Sequence, residues 1–163
     1  MRAEQEAAID KSLLGWDPSL MQEKTLVKVQ NFTTSRHVAL RLNPGDDLLL
    51  SLRQAAREQG IQNAAILSGV GSLSAYHYHV VKTTNMPPGN VFVQGEGPFD
   101  ILTITGLIVN GEVHAHVAFS DTESAYGGHI EEGCRVLTFA VIVLAIAEHV
   151  DFTGWDKRGP LAD

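Results

Sequence analysis

One cysteine, Cys134, is all the thiol this chain contains, so no intrachain disulfide can hold it together, which fits a reducing compartment. Basic runs are missing too. Twelve Lys and Arg stand against nineteen Asp and Glu, for a formal net charge of −7. The densest basic spot, Lys157-Arg158, reads as a solvated tail. Nucleic-acid affinity comes largely from cations neutralising phosphates, so this balance disfavours nucleic acid as a partner. Long apolar runs are scarce. Val136 to Ala147, broken only by Thr138, falls short of the ~20 residues that span a bilayer as a helix. The opening Met1-Arg2-Ala3-Glu4-Gln5-Glu6 is charged where a secretory signal would be apolar. The expectation is a cytoplasmic protein with no membrane partner. Repeats, low-complexity tracts and a serine nucleophile elbow are absent as well. Ser68-Gly69-Val70-Gly71-Ser72 lacks both the Lys-Ser/Thr ending of a phosphate loop and the third glycine of a dinucleotide fingerprint, and reads as a tight turn.

What is present divides at about residue 25. Residues 1–25 read as an N-terminal arm or appendage, with a short helix over Ala3 to Leu14 and a turn at Trp16-Asp17-Pro18-Ser19. Residues 26–163 read as one domain, a normal size for a single core. Leu26 to Val29 and Arg36 to Leu42 alternate as half-buried strands do. Leu48, Leu49, Leu52, Ala55 and Ala56 recur at helical spacing through Asp47 to Gln59, with Asp46 or Asp47 as cap and Gly60 as stop. Ala64 to Leu67, Tyr76 to Lys82 and Val91 to Gln94 follow as strands. Asn110-Gly111 between the apolar runs Phe99–Val109 and Glu112–Phe119 is a strong hairpin signal. Cys134 to Val150, rich in Val and Ile, is read as a long central strand.

The chemistry lies in histidine. His114 and His116 sit two apart on a predicted strand and so share a face. At about 7 Å along the strand they can converge on one ion. His129 follows after a loop over Ser120 to Tyr126 and a Gly127-Gly128 pair, where close backbone approach and unusual φ are expected. Three imidazoles with one open position is the arrangement of many zinc sites, although nitrogen donors also suit nickel, copper and iron. Asp121, Glu123 and Glu131 are candidate carboxylates to orient a ligand histidine or to act as a base on a bound water. On spacing alone the three histidines could equally be polar residues on an exposed face. His77-Tyr78-His79 has the same spacing but no glycine-flanked third histidine, and reads as an ordinary strand pair. His37 and His149 read as surface or satisfied core residues, and Cys134 as a small buried hydrophobe.

Four segments resemble the PPC domain (plants and prokaryotes conserved domain, DUF296), in its prokaryotic stand-alone form. They are Arg41-Leu42-Asn43-Pro44-Gly45-Asp46-Asp47-Leu48, Ala65-Ile66-Leu67-Ser68-Gly69-Val70-Gly71-Ser72-Leu73, Gly97-Pro98-Phe99-Asp100-Ile101-Leu102 and Gly127-Gly128-His129-Ile130. The resemblance covers about residues 35 to 152. It implies an α+β fold, a mostly antiparallel sheet with helices packed against it, and a homotrimer. It also implies a divalent metal, zinc first, held by His114, His116 and His129, with a small molecule as ligand or substrate. If the domain is an enzyme, metal-assisted hydrolysis or lyase chemistry with Glu131 or Asp121 as base is the expectation. The alternative is a DNA-associated regulator or transcription-factor partner, as in the plant members. Their AT-hook, Arg-Gly-Arg-Pro, does not occur in this sequence, and Pro98 stands where they carry arginine. A third reading is an assembly module with no ligand.

Overall fold

The computed structural model describes residues 27–159 and residue 161. The expected arm, residues 1–25, lies outside them. Seven elements follow one another: β1 (Thr33–Leu42), α1 (Leu48–Glu58), β2 (Ala64–Val81), β3 (Asn90–Val109), β4 (Glu112–Ser120), β5 (Ala125–Ile130) and β6 (Arg135–Glu148). The expected mostly antiparallel sheet is present. The expected plural of helices reduces to one among the described residues, eleven residues long.

The strands hydrogen-bond in the order β1-β6-β2-β3-β4-β5, all antiparallel, and β2 also pairs with β5. That last pairing closes β2, β3, β4 and β5 into a ring, from which β6 and β1 extend as an open flap. An aromatic cluster fills the ring. Phe119 is fully buried, with Tyr76 4.9 Å, Phe99 5.4 Å and Tyr126 5.7 Å from its centroid. Each such pair adds stabilisation beyond the area it buries. Leu48, Leu49, Leu52 and Ala56 form the buried stripe of α1, which lies against β4 and β1.

The helix starts where the sequence places it, and its cap does two jobs. Asp47 Oδ1 accepts from Leu50 N–H at 3.1 Å, filling an orphan donor of the first turn. Asp47 Oδ2 accepts from Gly133 N–H at 2.6 Å, so the same buried carboxylate ties the helix to the β5–β6 connection.

Three expectations are corrected. Val27 to Val29 form no strand, and Val27 and Val29 are exposed. The β1–β6 pairing begins only at Thr33, opposite Glu148, where β6 itself ends, so the preceding residues have no edge to join. Ser68 to Ser72 is not a turn. It runs within β2, which pairs there with β6 over Ser68 to Gly71 and with β3 again from Gly71, and carries register shifts at Ile66/Ser68 and Gly71/Leu73. Gly71 has φ +145°, and a Cβ on it would strike the Phe139 carbonyl. The glycines thus allow a bulged strand to bend without leaving the sheet. The expected Ser120–Gly128 loop shortens to a tight turn, because β5 already begins at Ala125. The Asn110-Gly111 hairpin forms as expected, with φ of 51° and 82°. No helix among the described residues is long and apolar enough to cross a membrane.

Asp47→Ala removes the cap and strands a buried N–H, which should cost about 2–4 kcal/mol. Asp47→Asn, whose amide oxygen can still cap, should recover part of that loss. Urea unfolding of the three proteins measures both; equal stabilities would show that the double tether contributes nothing.

Candidate metal centre

Alternation sets which way each histidine points. On β4, Val113, Ala115, Val117 and Phe119 are buried, which turns His114 and His116 to the outer face of the ring. On β5, Ile130 is buried in the core and His129 faces out. Register then brings the rings together. His129 lies directly opposite His116 across β4–β5, and directly opposite His79 across β2–β5. Three histidines therefore form one row across three strands.

Two residues further along, the β2–β5 register carries on with Glu131 beside His77. Glu131 N–H donates to the His77 carbonyl at 2.9 Å, which extends the β2–β5 ladder past the end of β5.

His114, His116 and His129 come together as the sequence suggested. Their ring centroids are 4.7 to 5.7 Å apart, and one donor nitrogen from each lies within 4.8 Å of the others. Gly127 and Gly128 make this possible through the expected close approach. A Cβ on Gly127 would lie 2.5 Å from the Val117 carbonyl, and one on Gly128 2.5 Å from the His79 carbonyl. Positive φ, also expected there, is found at neither.

Electrostatics prepares two of the three, His129 and His116, for a cation. Burial, followed by His114, His79 and His116, lowers the His129 pKa to about 4, against a smaller opposing effect of Glu131. Burial and then His114 and His79 also lower that of His116. Imidazoles that resist protonation keep a lone pair free for a metal. Behind His114 stands a carboxylate the sequence reading missed. Asp156 Oδ2 lies 3.9 Å from His114 Nδ1, and its side chain is 10% exposed. Asp156 Oδ1 is buried with no hydrogen-bond partner. A buried carboxylate behind a ligand histidine suits the outer shell of a metal site, so the residues present fit a divalent ion.

The other candidates separate cleanly. Asp121 sits at the tip of the β4–β5 hairpin, where its carboxylate accepts from the backbone of Glu123 and Ser124 and from the Tyr126 hydroxyl. Those bonds lower its pKa and commit it to the turn. Neither Asp121 nor Glu123, both beyond Ser120 and its partner Ala125, reaches the row of histidines. Glu131 does: its Oε1 lies 2.7 Å from His79 Nδ1. His79, read from the sequence as an ordinary strand residue, thereby joins the cluster, with its ring 4.6 Å from that of His129. Its shared His-x-His spacing was the available signal; the β2–β5 pairing that gives it meaning was not visible. His77 instead bonds the Glu132 carbonyl at 2.8 Å. His37 and His149 are exposed.

Cys134 is buried, accepts from His77 N–H and donates back to the His77 carbonyl. Burial pushes its thiol up to about 11, which keeps it protonated and inert. Beside His77 a cleft of about 480 Å³ opens between Gln94, Glu96, Glu132 and Arg135.

Comparison with known proteins agrees with this architecture. The family model of the Plants and Prokaryotes Conserved (PCC) domain matches residues 29–148. A bifunctional protein GlmU from Synechococcus sp. (strain JA-3-3Ab) is 37% identical over 107 residues, 65% of this chain and 16% of that protein. The chain therefore spans about a sixth of that relative's length. The metal-containing protein AF0104 from Archaeoglobus fulgidus is similar at TM-score 0.60 and 26% identity, over 74% of this chain and 86% of that one. A plant- and prokaryote-conserved (PPC) protein from Pyrococcus horikoshii shares the fold at TM-score 0.64 and 21% identity, over 77% and 87%. The chain belongs to the Plants and Prokaryotes Conserved domain family.

Proposed function

We propose that this chain is a metal-binding PPC-type domain of the cytoplasm, in which His114, His116 and His129 hold one divalent ion, zinc first. The domain runs from residue 26, with residues 1–25 as an appendage. The observation that carries the reading is the convergence of three imidazoles, from two strands, to within 4.8 Å. The similarity to a metal-containing protein supports it. A bound divalent ion would act as a Lewis acid toward a small molecule, or would activate water. Around it, Asp156 stands on the His114 side and Glu131 is the available carboxylate in place of Asp121.

Assembly as a homotrimer belongs to the same reading. The central strands leave Leu67, Val70, Leu102, Leu137 and Phe139 between 41% and 55% exposed. Apolar surface of that kind on a sheet interior marks an interaction face. The alternative of a DNA-associated regulator draws less support, since the net charge is −7 and no AT-hook occurs in the sequence.

Metal content by mass spectrometry tests the core of this. Tag-free protein should carry about one zinc per chain after reconstitution, and the His114→Ala/His116→Ala/His129→Ala variant should carry none. Equal metal in both, or none in either, would overturn it.

The lowered pKa of His129 makes a second check. Unfolded histidine binds its proton near 6.5, whereas folded His129 does so only at about 4. Between those values the unfolded state holds more protons, so stability should fall as pH drops through that window. As pH falls from 7 towards 4, metal-free wild type should lose melting temperature relative to metal-free His129→Gln. A constant gap between them would mean that His129 is not held neutral.

A further inference from the structure

The three-histidine set is not the only convergence on this face. His79, His129 and Glu131 also bring one donor atom each to within 4.8 Å. All three are partly buried, and His79 and Glu131 are locked together at 2.7 Å. Because Glu131 Oε1 engages His79 Nδ1, the other ring nitrogen of His79 and the second carboxylate oxygen are left as donors. The backbone fixes this set as firmly as the first. Glu131 N–H is bonded to the His77 carbonyl, and the following loop is tied down through Gly133 to Asp47.

We propose that His79, His129 and Glu131 form an alternative cation position, with two nitrogens and a carboxylate, that exchanges with the three-histidine position through the shared His129. The inference rests on the metal-binding reading above and adds to it a choice of metal. A neutral imidazole has one lone-pair nitrogen, so His129 serves one ion at a time and the two positions exclude each other. Their donor sets differ in kind. Three imidazoles suit zinc, copper or nickel, whereas carboxylate donors favour harder ions such as manganese, and a two-histidine, one-carboxylate set with open positions is typical of iron(II). The charge differs as well: the first set is neutral, and the second brings a carboxylate that offsets one of the ion's two charges. The outer face of the ring thus offers a nitrogen-preferring ion a seat on the β4 side and an oxygen-preferring ion a seat on the β2 side, with His129 as the pivot.

The test measures zinc and manganese(II) affinity separately, the first by calorimetry and the second by loss of the free manganese signal in electron paramagnetic resonance. The proteins are wild type, Glu131→Gln, His79→Gln and His114→Ala/His116→Ala, each accepted only if its circular dichroism and melting curve match the folded protein. Glu131→Gln changes one atom of the carboxyl and keeps its shape, so it preserves the test if a histidine variant fails to fold. Manganese affinity should drop about tenfold or more in Glu131→Gln and His79→Gln, and by clearly more than zinc affinity does. The double variant should lose zinc and keep manganese. Manganese and zinc should compete at one ion per chain. The proposal is overturned if wild type does not bind manganese, if manganese binding ignores Glu131 and His79, or if both ions bind together. Zinc binding that persists through any of those outcomes leaves the three-histidine reading standing. Failure to bind either ion overturns both.

Discussion

The pairing of β2 with β5 is the constraint on which the rest depends. It is short, with Tyr78 opposite Ile130 and His79 opposite His129, yet it turns a curled sheet into a closed ring around Phe119 and its aromatic neighbours. It requires that Gly128 carry no side chain, because the His79 carbonyl occupies the space a Cβ would need. Without that contact β5 would pair with β4 alone, and His129 would meet His114 and His116 but not His79. The site is thus a consequence of closure: three strands held edge to edge at about 4.8 Å present their outward residues as neighbours.

Much of this was legible in the sequence, and the reasons are local. Helix α1 is announced by its cap, its apolar spacing and Gly60, all decided within a dozen residues. The β3–β4 hairpin is announced by Asn110-Gly111, whose turn needs no tertiary help. His114 and His116 follow from strand alternation, and His129 from its place after the Gly127-Gly128 pair, reinforced by the resemblance to the PPC family. What could not be read depends on contacts distant in sequence. Ser68 to Ser72 looks like a turn because glycine usually marks one, whereas here pairing with β6 holds the segment extended. His79 and Glu131 are 52 residues apart in sequence, and only the closing pair joins them. Asp156 reaches His114 from a tail that reads as solvated surface. Asp121 looked as available as Glu131 until its turn hydrogen bonds were seen.

The chemistry follows from placing titratable groups on the outer wall of a ring whose interior is apolar. His116 and His129 stand close to the other histidines and are reluctant to take protons, which favours a metal over a cluster of imidazolium charges. Carboxylates stand at both flanks, Asp156 beside His114 and Glu131 beside His79, while the sulfur nearby is withheld by burial and hydrogen bonding to His77. The exposed apolar residues of β2, β3 and β6 are, on our proposal, where subunits meet.

X-ray absorption at the zinc edge, on the reconstituted wild-type chain, tests the central claim most directly, because it reads the ligands themselves. The expected result is a shell of nitrogen and oxygen at about 2.0–2.1 Å with the outer-shell scattering of three imidazoles and no sulfur. A sulfur shell at about 2.3 Å, or scattering from fewer than three imidazoles, would contradict it.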